Sequence, residues 1–134
     1  MRPERGVSEF EPTLRDVLAA GHTARFRASG DSMYPAIRSG DYLEIARCPV
    51  SQLRVGDVIL ATTERGLTAH RIVRIQEAEG KTRITTRGDN ALRSDPSVVS
   101  DDVLGRVENV RTESATIMRF AAVLVRRLRS AFQQ

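Results

Sequence analysis

Cysteine is almost missing from this chain. Cys48 stands alone among 134 residues, so no internal disulfide can form and no multi-cysteine metal site can be built. Placed in a predicted strand, YLEIARC, it reads as a buried, inert thiol. Histidine is nearly as scarce. His22 and His70 are the only two, too few for a zinc cluster, and no metal or other cofactor is expected. Long apolar runs are absent as well. The longest, residues 120–125, falls far short of the ~20 residues that cross a bilayer. Residues 1–23 hold no uninterrupted apolar stretch of the kind a secretory signal needs. No segment repeats and none is low in complexity. Aromatic residues amount to 4% and tryptophan is absent, and the net charge of +4 is not spread over the chain. Residues 115–134 carry Arg119, Arg126, Arg127 and Arg129 and no acid, which leaves a neutral body with a basic tail. A nucleic-acid-binding domain would instead spread its charge over a face with aromatics nearby, so no nucleic-acid partner is expected.

What is present describes a globular domain. Hydrophobic residues make up 40% and charged residues 28%, a balance that supports a core and excludes a disordered chain. Leu14, Val17 and Leu18 share one helical face, Thr13 followed by Asp16 resembles a helix cap, and Gly21 would end that helix. From Arg25 onward the pattern changes to short strands separated by turn signals. ARFRAS, DYLEIARC, DVILATT, TAHRIVRI, KTRITTR and LGRVENVR are rich in Val, Ile and Thr with partial alternation. These six strands predict a mainly β, compact antiparallel domain over residues 24–113. A polar segment with a short helix precedes it (1–23) and a basic amphipathic helix follows (114–134). That last helix either docks on the β domain or lies on an anionic membrane surface, which would be a peripheral contact through residues 115–134.

The stretch SGDSMYPAIRSGD, residues 29–41, sets Ser32 on a bend bounded by glycine and proline. A hydroxyl there is a turn residue or a nucleophile, and a nucleophile requires a base within hydrogen-bond reach. Lys81, the single lysine, follows Ala78-Glu79-Gly80 at an apparent hairpin tip, where an exposed amine stays protonated at neutral pH. His22 precedes the β region in a polar stretch. His70 sits inside TAHRIVRI, where a rigid strand can aim it, and imidazole chemistry suits proton transfer near neutral pH. A histidine base is usually held by a third group. RGDNALRSDP offers both Asp89 and Asp95 for that role.

The flanking residues resemble the signal peptidase I superfamily, which includes the self-cleaving SOS repressors of the LexA type. Ser32-Met33-Tyr34-Pro35 with Arg38-Ser39-Gly40-Asp41 is similar to the family's nucleophile box, and Val55-Gly56-Asp57-Val58-Ile59 to the box that begins a core strand. Ala69-His70-Arg71-Ile72-Val73 resembles the archaeal and endoplasmic-reticulum signal peptidase branch, whose base is histidine rather than lysine. Gly88-Asp89-Asn90 followed by Asp95 matches that branch's aspartate box, and Val103-Leu104-Gly105-Arg106-Val107 its closing strand. The chain departs from the branch at Ser29-Gly30-Asp31-Ser32-Met33, where Asp31 is extra and is similar to the Gly-Asp-Ser-Met of the SOS mutagenesis proteins. It departs again before the nucleophile box, where Arg15 and Asp16 interrupt the segment that would be a membrane anchor.

The resemblance implies a serine endopeptidase that cleaves an extended leader, signal or precursor peptide, with Ser32 as nucleophile, His70 as general base and Asp95 as its orienting partner. It implies further that the Ser32 amide donates to the oxyanion, that Ser29 and Met33 help position oxyanion or substrate, and that Asp89 and Asn90 support the loop carrying Asp95. The partner would be a peptide or precursor protein, and the location cytoplasmic, soluble or peripherally membrane-associated. A catalytically silent peptide-binding domain and a self-cleaving LexA-like regulator are the alternatives. Ala20-Gly21 is the bond such a regulator would cut, but a helix C-cap at Gly21 is the simpler reading, and about twenty residues before the β domain are too few for a DNA-binding helix-turn-helix.

Overall fold

The computed structural model describes residues 7–112, and the predicted C-terminal helix with its arginines lies outside them. One helix, α1 (Val7–Ala19), leads into seven strands: β1 (Ala24–Arg27), β2 (Tyr42–Ala46), β3 (Val58–Thr63), β4 (Gly66–Ala78), β5 (Lys81–Arg87), β6 (Val98–Val99) and β7 (Val103–Arg111). They form a single sheet in the order β1-β2-β7-β3-β4-β5-β6, with every neighbouring pair antiparallel. The mainly β, antiparallel fold expected from the strand pattern is therefore present.

Three details differ from expectation. The helix begins at Val7, not at Thr13, so Thr13 lies in its interior and is no cap. The seventh strand, β6, is only two residues long, too short for alternation to show. Cys48 lies just beyond β2 rather than in it. It is buried all the same, with its thiol turned toward the Pro49 carbonyl at 3.6 Å. Gly21 does end the helix, at φ +88°, with its amide bonded to Leu18 O at 3.0 Å and the His22 amide to Val17 O at 3.2 Å. This left-handed C-cap satisfies carbonyls that the last turn leaves open.

Alternation along the strands divides the apolar residues between two faces. Leu60 of β3 and Leu67 and Ala69 of β4 join Leu43, Ile45 and Leu104 in one core, which Leu14 and Leu18 of α1 cover. Ile59 and Ala61 face the other way and pack with Ile72, Ile84 and Val98. Leu43, Ile45, Ile59, Leu60, Leu67 and Ile84 are completely enclosed, each worth roughly 1.5–3 kcal/mol of transfer free energy.

Two tight hairpins join the central strands. Thr63 pairs with Gly66 across the Glu64-Arg65 turn. Ala78 pairs with Lys81 across Glu79 and Gly80, whose φ values of 55° and 74° are those of a tight two-residue turn twisted to match its strands. Strand β4 is shared: residues 66–71 pair with β3, and residues 71–78 with β5 across a bulge between Ile72 and Arg74. Among the described residues, no strand pairs with residues 66–70 on the side away from β3.

Asp41 and Asp57, which follow Gly40 and Gly56, have a structural explanation. Asp41 Oδ2 accepts the Arg38 amide at 2.8 Å while its own amide bonds Arg38 O at 3.0 Å. Asp57 does the same with Arg54, both contacts at 3.0 Å. Each buried carboxylate closes its own turn. Asp57 also lies 3.5 Å from Arg106 Nη1 of β7. Burial opposes the charge on Arg106, but its bond to Glu108 and the nearby carboxylates outweigh that and raise its pKa above the ordinary guanidinium value.

Candidate active site

Three segments distant in sequence meet at one end of the open half of β4. Residues 28–41 leave β1 as an irregular turn and present Ser32. Strand β4 presents His70, and the loop between β5 and β6 presents Asp95. His70 Nδ1 lies 2.7 Å from Asp95 Oδ2, and His70 Nε2 lies 3.1 Å from Ser32 Oγ. The imidazole and carboxylate are 11% and 19% exposed, screened enough to fix their geometry yet reachable from solvent. A neutral His70 that donates Nδ1–H to Asp95 presents Nε2 as acceptor for the Ser32 hydroxyl. Such a chain can move a proton off the hydroxyl while the carboxylate stabilises the resulting imidazolium.

Asp95 is itself held twice. Its amide donates to Thr86 O at 2.8 Å, and the buried Thr86 hydroxyl donates to Asp95 Oδ2 at 2.8 Å, the same oxygen that His70 meets. Asn90 secures the serine side: its amide donates to Ser32 O at 2.9 Å and its side chain to Asp31 O at 3.1 Å. Asp89 does not approach His70 as a second partner. It forms a two-pronged ion pair with Arg71, with Nε and Nη2 both at 2.8 Å, while Arg71 Nη1 donates to Gly56 O at 2.8 Å. The Asp89 amide points at Met33 Sδ, 3.4 Å away, and Met33 is buried in the core. Asp89 and Asn90 thus tie β4 and the turn that carries Ser32 to the loop after β5.

Gly88 fixes how closely these parts approach. A Cβ there would sit 2.6 Å from Ser32 O, 3.2 Å from Ser32 Cβ and 3.3 Å from His70 Nε2. Only glycine lets the loop pass this near the serine. Among the described residues, the Ser32 amide has no hydrogen-bond acceptor, so it is available to a developing oxyanion. Ser29 is exposed and, with Ser32, Met33, Ile37, Leu43 and Ala69, lines a cavity of about 10 Å³ beside the hydroxyl. His22 and Lys81 are both exposed, and Lys81 opens β5 at the turn from β4.

A family model described as Peptidase S24-like matches residues 3–108. The chain belongs to the Peptidase S24-like family. Among curated proteins, none matches it. The S24-like match takes in Ser32, His70, Asp95 and the residues that hold them, and it ends inside β7. A LexA- and signal-peptidase-like β fold is thus established by the family match and the sheet together.

The structure brings together Ser32, His70, Asp95, Asp89 and Asn90, all expected from the sequence, with three residues that were not. Thr86 carried no signal beyond strand propensity. Arg71 and Gly88 were in view only as neighbours of His70 and Asp89, and a close approach between loops cannot be read from one chain's spacing. Among the described residues, no helix is long and apolar enough to cross a membrane.

Proposed function

We propose that this S24-like chain is a serine endopeptidase that cleaves an extended leader or precursor peptide with Ser32, His70 and Asp95. The observation that carries the reading is the unbroken relay of 2.7 Å and 3.1 Å from carboxylate to imidazole to hydroxyl. Ser32 Oγ attacks the scissile carbonyl as its proton passes to His70 Nε2. The carbonyl oxygen, now an anion, is met by the Ser32 amide. As the tetrahedral intermediate collapses, the C–N bond breaks and His70 returns the proton to the leaving amine. Water then attacks the acyl-serine ester, gives its proton to His70, and Ser32 is regenerated as the carboxylate product leaves.

Two features favour an extended peptide with a small residue before the scissile bond. The open edge of β4 at residues 66–70 offers main-chain groups to a peptide laid beside it as a strand. The cavity next to Ser32 is about 10 Å³, near the size of one water, and suits a methyl group rather than a large side chain. A histidine base at this position aligns the site with the archaeal and endoplasmic-reticulum branch of signal peptidases. Self-cleavage is less favoured, because the Ala20-Gly21 bond is closed inside the helix cap.

Incubating the chain with a mixture of defined peptides, with the products read by mass, tests the proposal. Cleavage after alanine, glycine or serine is expected, with loss of about 10⁴-fold or more in Ser32→Ala. Peptides that bind equally to both proteins and are never cut would make it a silent peptide-binding domain.

A further inference from the structure

A second and larger space adjoins the site. It is a cleft of about 380 Å³ on the opposite face of β4 from the small cavity, lined by Thr63, Thr68 and His70 on one side and Asp95, Ser97 and Asp102 on the other. Ser32 lines the small cavity and not this cleft. The volume lies within the roughly 300–1,000 Å³ of ordinary ligand pockets. The hydrolysis described above uses His70 and Asp95 on its wall but not the space itself.

Its place follows from strand alternation. Ala69 and Leu67 face the core that holds Met33, Ile37 and Leu43. Thr68 and His70 face the other way, as their cross-strand partners Ala61 and Ile59 do. A peptide laid beside residues 66–70 alternates between these same two faces, because directly opposed residues share a face. With the side chain before the scissile bond in the cavity at Ala69, the side chain one residue earlier falls on the Thr68 and His70 face. That is where the cleft opens.

The lining also has a charge preference. Glu64, Asp95 and Asp102 contribute three carboxylates against the single guanidinium of Arg65. Asp95 is engaged by His70 and Thr86, and Asp102 accepts the Val99 amide at 3.0 Å. The balance is negative, and threonine and serine hydroxyls supply acceptors around it. Electrostatic complementarity of this kind selects among partners more than it adds affinity.

We propose that this cleft is the subsite for the residue two positions before the scissile bond, and that it selects lysine or arginine there. The inference rests on the peptidase reading for its register, but its test is a binding measurement that does not need hydrolysis. Fluorescent ten-residue peptides with alanine before the scissile bond, differing only in Arg, Ala or Glu one residue earlier, are titrated into full-length Ser32→Ala protein. The arginine peptide is expected to bind about threefold to tenfold more tightly than the alanine peptide, with the glutamate peptide weakest. Glu64→Lys, a change in the exposed hairpin turn, should abolish or reverse that order. Equal affinity for the three peptides, no binding of any, or an order that survives Glu64→Lys would overturn the subsite. Parallel cleavage by the wild-type chain separates the two ideas. Indiscriminate cutting of all three removes the subsite and leaves the peptidase. Selective binding of the arginine peptide without any cutting leaves the subsite and removes the hydrolysis.

Discussion

Gly88 is the residue on which the closeness of the site depends, although it takes no part in the chemistry. Its missing side chain lets the loop lie against Ser32 O and His70 Nε2. In Gly88→Ala the new methyl meets backbone, which cannot swing aside, so either the loop or the turn that carries Ser32 must shift. The Asn90 bonds that hold the carbonyls of Ser32 and Asp31 would be strained by the same movement. The expected result is a loss of about 10²-fold or more in turnover, since displacements on the order of 1 Å have that effect. Peptide cleavage rates beside a thermal melt would show it, and an alanine variant with unchanged rate would mean that the loop has slack. At this scale the sequence offered candidates by residue type, a hydroxyl on a bend, a strand imidazole and two loop carboxylates, and it was the resemblance to the signal peptidase superfamily that implied a role for each. Gly88 and Thr86 act through proximity, which only the folded chain displays.

Among the elements, β4 does most to organise the site. Its pairing with β3 fixes His70, its crossing to β5 leaves residues 66–70 open, and Arg71 at the crossing grips both Asp89 and the carbonyl of Gly56. The two-pronged contact depends on the planar guanidinium, and a lysine at the same place can make only a point contact. Arg71→Lys should therefore loosen the Asp89 loop, with faster amide exchange at Asn90 and cleavage slowed by about tenfold, equivalent to one lost charge-assisted bond. Exchange and cleavage both unchanged would show that Asp89 needs no clamp. The strands themselves were readable because Val, Ile and Thr alternate along them and glycine marks their turns. The helix start was not, because Thr13 and Asp16 mimic a cap inside a helix that has already begun at Val7. Nor was β6, whose two residues pair only because β5 passes beside them.

Over the described residues the molecule is one sheet with a core on each side, and the candidate site sits where the sheet's continuous pairing breaks. Leu60, fully enclosed in the first core, lies on β3 between β4 and β7. Truncating it in Leu60→Ala should cost about 2–5 kcal/mol and lower the denaturant midpoint. The geometry at Ser32 should survive while the chain stays folded, since none of the hydrogen bonds that hold Ser32 involves Leu60. A destabilisation below about 0.5 kcal/mol would contradict the packing described. At this scale the β architecture was legible in the sequence, but the division into two faces was not. Which residue of each strand faces which core depends on bulges that place the extra residues Val73 in β4 and Leu104 and Glu108 in β7, and bulges shift alternation without leaving a compositional mark.

The central claim is that Ser32 is a nucleophile activated by His70. The most direct measurement is reaction of the purified chain with a serine-directed fluorophosphonate, with the labelled site read by mass, beside Ser32→Ala, His70→Ala and Asp95→Asn. The account predicts a single adduct at Ser32, absent in Ser32→Ala, lost in His70→Ala and slowed by about 10³-fold or more in Asp95→Asn. Labelling of Ser32 that proceeds equally well without His70, or an unlabelled Ser32 in a chain that nonetheless cuts peptides, would contradict it.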